Sequence, residues 1–159
     1  MIEGRKLALN YEHYYRNYVP GCENARMLWT SQTLGVRESR RILGDYVLNT
    51  DDFTRQAVFE DEIGRYGYPI DLHGTRPTDK WKGDSDSELF ESYCYKNPGE
   101  SYGIPYRILL PRKLENTLVA GRCVSTDRQM HGSIRVQAGC FITGQAAGMA
   151  AVLAAGRSV

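Results

Sequence analysis

Histidine is scarce in this sequence, with three widely spaced copies, and Cys22, Cys94, Cys123 and Cys140 form no C-x-x-C pair. A structural zinc site needs closely spaced thiolate or imidazole ligands, so no metal site is expected. An excess of one charge is also missing: 20 Lys and Arg against 19 Asp and Glu leave a net charge of +1. A chain so close to neutral has no global attraction to nucleic acid or to a membrane surface, and neither partner is expected. Gly139 to Ala155 is the only long apolar run; it is mostly Ala and Gly, contains Gln145, and falls short of about 20 strongly apolar residues. It reads as a buried helix. No apolar leader opens the sequence, and thiols in a domain of this size default to the reduced state, which favours a cytoplasmic setting.

What is present is globular. The 159 residues are 42% hydrophobic and 25% charged, enough for one ordinary domain with a core. Tyr supplies 11 of the aromatics against two Trp and four Phe, a bias suited to half-buried packing and to pockets. Residues 5–18 carry Leu7, Tyr11, Tyr14, Tyr15 and Tyr18 at helical spacing, and Pro20-Gly21 ends that helix. Residues 25–34 and 37–48 read as strands divided at Gly35. Thr50-Asp51-Asp52 opens a helix, with Thr50 as cap and acids in the first turn, running to about Ile63. A short strand or turn over 67–74 precedes a polar loop over 75–88. Residues 93–95 and 102–110 read as strands, and 114–116 as a turn.

The C-terminal third is the most informative. Thr117-Leu118-Val119-Ala120 is apolar on both faces, as a strand inside a parallel sheet would be. It ends at Gly121; a polar loop follows, then a helix of small residues from about Ser133 to Ala155. In open α/β sheets ligands gather beyond the carboxyl ends of strands, here at Gly121 and the loop to Gly132. A helix opening at Gly132-Ser133 would aim free N–H groups and a positive dipole end at the same place.

Three further residues are candidates for chemistry. Along residues 36–48, Val36, Glu38, Arg40, Ile42, Tyr46 and Leu48 share one strand face, so Arg40 with Glu38 is either a buried ion pair or part of a site; Arg37 and Arg41 lie on the other face. Guanidinium groups grip carboxylates in bidentate fashion, which makes an anion clamp the functional alternative. His73 follows Asp71 at i+2, and Tyr106 stands after Pro105 beside Arg107. His73, Arg40 and Tyr106 are the catalytic candidates. His131, just ahead of the small-residue helix, is either close to the ligand or a solvated loop residue.

Asn116 to Ala151, "NTLVAGRCVSTDRQMHGSIRVQAGCFITGQAAGMAA", resembles the C-terminal segment of FAD-dependent oxidoreductases of the two-domain, glutathione-reductase-like fold. "LGVRESRRILGDYVL" (34–48), "YPIDLHG" (68–74) and "YGIPYRILLPRKLENTLVAGR" (102–122) are similar to the middle section of that family. The Gly-rich GxGxxG segment that grips the FAD pyrophosphate is absent from these residues.

The resemblance implies an α+β chain. Mixed strands of a substrate domain over 1–112 would be followed by the final strand and long helix of the dinucleotide-binding domain over 113–159. It implies FAD as cofactor, with Gly121, Arg122 and Cys123 along the ribityl chain and ring. Gly132, Ser133, Ile134, Arg135 and Val136 would form a helix N-terminus at the ring's N1 edge, where negative charge develops. The implied function is the C-terminal part of an oxidoreductase that passes a hydride from a small-molecule substrate to FAD. Its partner would be an N-terminal FAD-binding region, and tight FAD retention by this chain alone is not expected. The alternative is a truncated, non-catalytic module that binds no cofactor and self-associates through the Gly144 and Gly148 face.

Overall fold

The computed structural model describes residues 2–38, 40–72, 94–95 and 97–156. Within them the chain is mixed α+β, divided into two compact units, Met1–Val36 and Arg37–Val159. His73, Gly74, Tyr93 and the loop expected over 75–88 lie outside the described residues.

The first unit is built on α1 (Ile2–Tyr18), which starts three residues ahead of the expected helix and buries none of its residues. Tyr14 packs on Tyr18 with ring centroids 5.5 Å apart, the one-turn spacing that the sequence pattern indicates. Gly21, at φ 87°, turns the chain after Pro20, as only glycine does without strain. Residues 25–34 form no strand. A ladder needs a partner, and none pairs with them among the described residues; Leu28 and Trp29 stay exposed. The backbone is held instead by side chains, as where the Met27 N–H donates to Glu12 Oε2 at 3.0 Å.

The second unit carries the core: Leu48, Phe53, Ile70, Tyr102, Ile104, Ile108, Leu109, Val124, Met130 and Ile134. Residues on both sides of position 112 contribute to it. Helix α2 (Thr50–Thr54) is much shorter than expected, and its cap is Asn49 rather than Thr50. The Asn49 side chain accepts from the Asp51 and Asp52 N–H groups, and Asp52 reaches back to the Asn49 N–H, a reciprocal capping box. Gln56, at φ 52°, then breaks the helix. Glu62 and Ile63, at the end of the expected helix, instead open β1 (Glu62–Tyr66), because this segment pairs antiparallel with β2 (Tyr102–Pro105). The strand expected over 102–110 ends at Pro105. There the Tyr106 N–H turns to the Asp61 carbonyl and the chain winds into a 3-10 turn, Tyr106–Leu109.

Residues 37–48 make isolated bridges in place of a full strand, Gly44 with Pro111 and Leu48 with Thr126. Thr117 to Ala120 is likewise no strand. It donates from the Val119 N–H to the Leu109 carbonyl at 2.9 Å, and no ladder runs along it among the described residues. An apolar run becomes a central strand only where strands flank it.

The expected single helix after Gly121 is two helices. Helix α3 (Arg128–Ile134) starts five residues before Ser133, because Asp127 caps it through a 2.6 Å bond from the Met130 N–H. The other oxygen of Asp127 accepts from the Thr50 N–H and Oγ, tying α3 to the start of α2. The chain bends at Arg135 and Val136 and continues as α4 (Gln137–Gly156). The bend is tight at Gly139, where a side chain would meet the Ile134 carbonyl. Helix α4 is not the buried helix expected: it buries only Gly139 and Thr143, and Phe141 and Val152 are 70% and 68% exposed. It is 20 residues long with an 18-residue stretch of mean hydropathy 1.5, long and apolar enough to cross a membrane by length and composition alone.

Candidate functional site

The bend between α3 and α4 opens a cleft of about 480 Å³. Arg122 comes from the turn after Gly121, Arg135 and Val136 from the bend, and Gln137, Cys140 and Phe141 from the first turns of α4; Arg37, Tyr68 and Asp71 close the far side. Three guanidinium groups against one carboxylate make the lining cationic. The first ladder bond of α4 runs from the Cys140 N–H to the Val136 carbonyl, so the N–H groups of Gln137 and Ala138 precede it and add the positive end of the helix dipole, while that of Gly139 bonds the Tyr66 hydroxyl.

The far side is a strap, residues 68–71, held against the end of α3 and the bend by Gly132, Ser133 and Arg135. Ser133 Oγ donates to the Tyr68 carbonyl at 2.6 Å and is itself bonded to the buried Tyr102 hydroxyl. Gly132 rests on the Asp71 backbone: a Cβ there would lie 2.9 Å from the Asp71 carbonyl oxygen. Arg135 donates through Nη2 to that same carbonyl at 2.9 Å, and through Nη1 to Glu38 at 3.1 Å. The Asp71 carboxylate in turn accepts from Arg37 at 2.8 Å.

Behind the cleft His131 is fully buried on α3, not in a solvated loop. Its Nε2 is 2.9 Å from the Arg122 carbonyl, which can only accept, so Nε2 carries the proton. Among the described residues its Nδ1 has no hydrogen-bond partner, and it lies 3.6 Å from Glu38 Oε2. Burial pushes the imidazole pKa below its ordinary range. The Arg122 carbonyl and Glu38 oppose that shift, while Arg41 and Arg135 add to it. Burial also pushes the Cys140 thiol up, with Arg122 opposing it, so this cysteine is a protonated packing group.

Of the candidates read from sequence, Arg122, Arg135 and Val136 line this cleft together. Gly121, at φ 78°, makes the turn that presents Arg122, and open space lies where a side chain would be. Cys123 follows in the same turn and is exposed. Gly132, Ser133 and Ile134 do not open a helix; they form the buried last turn of α3, where they hold the strap. The helix N-terminus at the cleft is that of α4, four residues later than expected. Arg40 is exposed and unpaired with Glu38, which binds Arg135 instead. Tyr106 lines a separate cleft of about 370 Å³, on Ile63 and the Ile142 to Leu153 face of α4. Its neighbour Arg107 is tied to Asp61 by a two-nitrogen clamp; burial pushes the Asp61 carboxyl up, but the bonds from Arg107 outweigh this and hold it below the usual range. His73 lies outside the described residues. Tyr68, Gln137 and Phe141 are cleft residues that no spacing rule marks, because the bend at Arg135 is what brings them together. Among the described residues no cluster of three metal-ligating side chains occurs.

No curated protein and no solved structure matches the chain. A family model described as FAD dependent oxidoreductase matches residues 1–159, its whole length. With a match of that extent, the protein belongs to the FAD dependent oxidoreductase family.

Proposed function

We propose that the cleft at the α3–α4 bend faces the isoalloxazine ring of FAD, in an oxidoreductase of the glutathione-reductase-like type that takes a hydride from a small-molecule substrate. The observation that carries this reading is the meeting of Arg122, Arg135 and Val136 at the start of α4, from two segments separated by α3. The residues present fit the group. A flavin offers carbonyl acceptors and gathers negative charge along one ring edge; the cleft offers guanidinium and backbone N–H donors, with Tyr68 and Phe141 as flat apolar walls. Gly121 leaves space for a close approach of the ligand.

When bound, FAD supplies a two-electron acceptor for hydride. The chain's own part is electrostatic and steric. Arg122 and Arg135 would hold the acceptor edge, and the α4 N-terminus would favour negative charge there without reorganising. Glu38 and the strap would keep Arg135 in place. The pyrophosphate grip would come from a Gly-rich segment that this sequence does not contain.

Flavin titration tests the reading. Because the cleft faces the ring only, riboflavin and FAD are expected to bind equally and to be lost together on desalting. Arg122→Gln, at an exposed position, is expected to weaken both roughly tenfold, the loss of one charge-assisted bond. Failure of riboflavin to quench or bind, or stoichiometric FAD surviving the desalting column, overturns it.

A second reading, a self-associating module without cofactor, is favoured by one observation: α4 turns Phe141, Met149, Val152 and Leu153 to the outside. An apolar face of that kind in water invites a copy of the same chain. Light scattering is expected to show mass rising with concentration; a strictly monomeric solution over a hundredfold range removes this reading.

A further inference from the structure

The His131 ring presents a problem of donors and acceptors. With the proton on Nε2, committed to the Arg122 carbonyl, neutral His131 aims the bare lone pair of Nδ1 at the Glu38 carboxylate, 3.6 Å away. Two acceptors then face each other with no hydrogen between them, one inside a side chain with no solvent exposure. Such a contact becomes favourable only when a proton enters it. Glu38 is about one-third exposed, so water can deliver that proton. Yet the same Glu38 oxygen already accepts from Arg135, whose side chain is 6% exposed and lines the cleft.

We propose that His131 and Glu38 form a proton-binding pair that governs Arg135, so that acid tightens the hold of the cleft on an anion. Above the histidine range Glu38 belongs to Arg135 and neutralises it. When a proton occupies Nδ1, His131 donates to Glu38 Oε2, the carboxylate is shared between two cations, and the Arg135 guanidinium is freer to meet an anion in the cleft. Both consequences have the same sign: one positive charge is added behind the cleft, and one inside it loses part of its counter-ion. The charged groups facing His131 are Glu38 and Arg41 from the segment before Leu48 and Arg135 from the bend; the Arg122 turn contributes its carbonyl. Burial and the two arginines oppose protonation, the Arg122 carbonyl and Glu38 favour it, and the balance falls below the ordinary histidine range, so the ring gains its proton in acid. An anion between Arg122 and Arg135 would cancel much of that opposition. Linkage then requires the anion to raise the affinity of His131 for its proton by the same factor that the proton raises the affinity for the anion.

The proposal rests on this cleft as the ligand site, and sulfate tests it without any flavin. Sulfate keeps its charge across the range from about pH 5 to 8 in which histidine titrates. The native protein is expected to bind sulfate roughly five- to tenfold more tightly at pH 5.5 than at pH 7.5. The ring resonance of His131, followed by NMR, is expected to titrate at higher pH with sulfate than without. His131→Gln and Glu38→Gln should each flatten the pH dependence of sulfate binding. No sulfate binding at either pH, an affinity indifferent to pH, a pH dependence that survives in His131→Gln, or a His131 titration indifferent to sulfate overturns the proposal. Should a variant fail to fold, the His131 titration in the native protein decides alone. Should riboflavin fail to bind while sulfate behaves as described, the flavin reading falls and the proton pair stands.

Discussion

Gly132→Ala is expected to destabilise the protein by about 2–3 kcal/mol and to abolish the cleft along with it. Two effects oppose each other at this position. Within a helix, alanine is intrinsically better than glycine by about 1 kcal/mol, so local propensity favours the substitution. Packing opposes it, because the new Cβ would lie 2.9 Å from the Asp71 carbonyl oxygen and 3.2 Å from the Asp71 nitrogen. These are backbone atoms, which cannot swing aside as the end of a side chain can. The strap must lift from α3, and Asp71 carries the bonds to both Arg37 and Arg135. Packing therefore wins. Gly144→Ala and Gly148→Ala in α4 are the matched comparison. No atom stands within 4 Å of a Cβ at either position, so propensity acts unopposed and each should stabilise by roughly 0.5–1 kcal/mol. Urea denaturation midpoints of the three variants decide; a Gly132→Ala protein as stable as the native one would mean that the strap does not rest on α3.

Phe53→Ala is expected to cost about 3–5 kcal/mol, a large share of the roughly 5–15 kcal/mol an ordinary domain has. The ring is 1% exposed, stacked on Tyr95 at a centroid distance of 4.3 Å and leaning on Tyr102 at 5.7 Å. The Tyr95 hydroxyl also donates to the Phe53 carbonyl at 2.7 Å, so the same residue anchors a second segment through its backbone. Removing the ring opens a cavity between Tyr95 and the fully buried Tyr102. A lowering of the thermal midpoint by roughly 10 °C measures it. A loss under about 1 kcal/mol would show that α2 is not anchored in the core.

Local patterns were legible where the deciding contacts are local. The tyrosine spacing locates α1, and Pro20-Gly21 marks its end. The sequence of apolar run, Gly121, polar gap and small-residue helix is visible from Thr117 onward. What was not legible depends on distant partners. The helix expected from Thr50 runs on to about Ile63, but pairing with Tyr102 to Pro105 makes its last residues part of a strand. Asn49 rather than Thr50 caps α2 because the Thr50 hydroxyl is taken by Asp127, 77 residues away. The break at Arg135 is unmarked by Pro or an unusual Gly; it arises where Gly139 lets α4 fold back onto Ile134. The pairing of Glu38 with Arg135 spans 97 residues, so a strand-face pattern that sets Glu38 beside Arg40 cannot reveal it. The positions in the resemblance reached the cleft at Arg122, Arg135 and Val136. The reason Gly132 and Ser133 accompany them, as a bed for the strap rather than as a helix opening, needed the fold.

The double use of Asp127 bears on the order in which the chain folds. Five residues are too few to hold a helix in water, since nucleation alone costs more than so few bonds return. Helix α2 therefore has no life of its own during folding. It can persist only after the segment between Thr50 and Asp127 has closed into a loop and Phe53 has found its aromatic neighbours. Closing that loop spends chain entropy before the contacts repay it, which is the property that slows folding in proteins rich in non-local contacts. Helix α3, at seven residues, is also too short to stand alone. The two helices that share one carboxylate are thus expected to form together, as the loop between them closes.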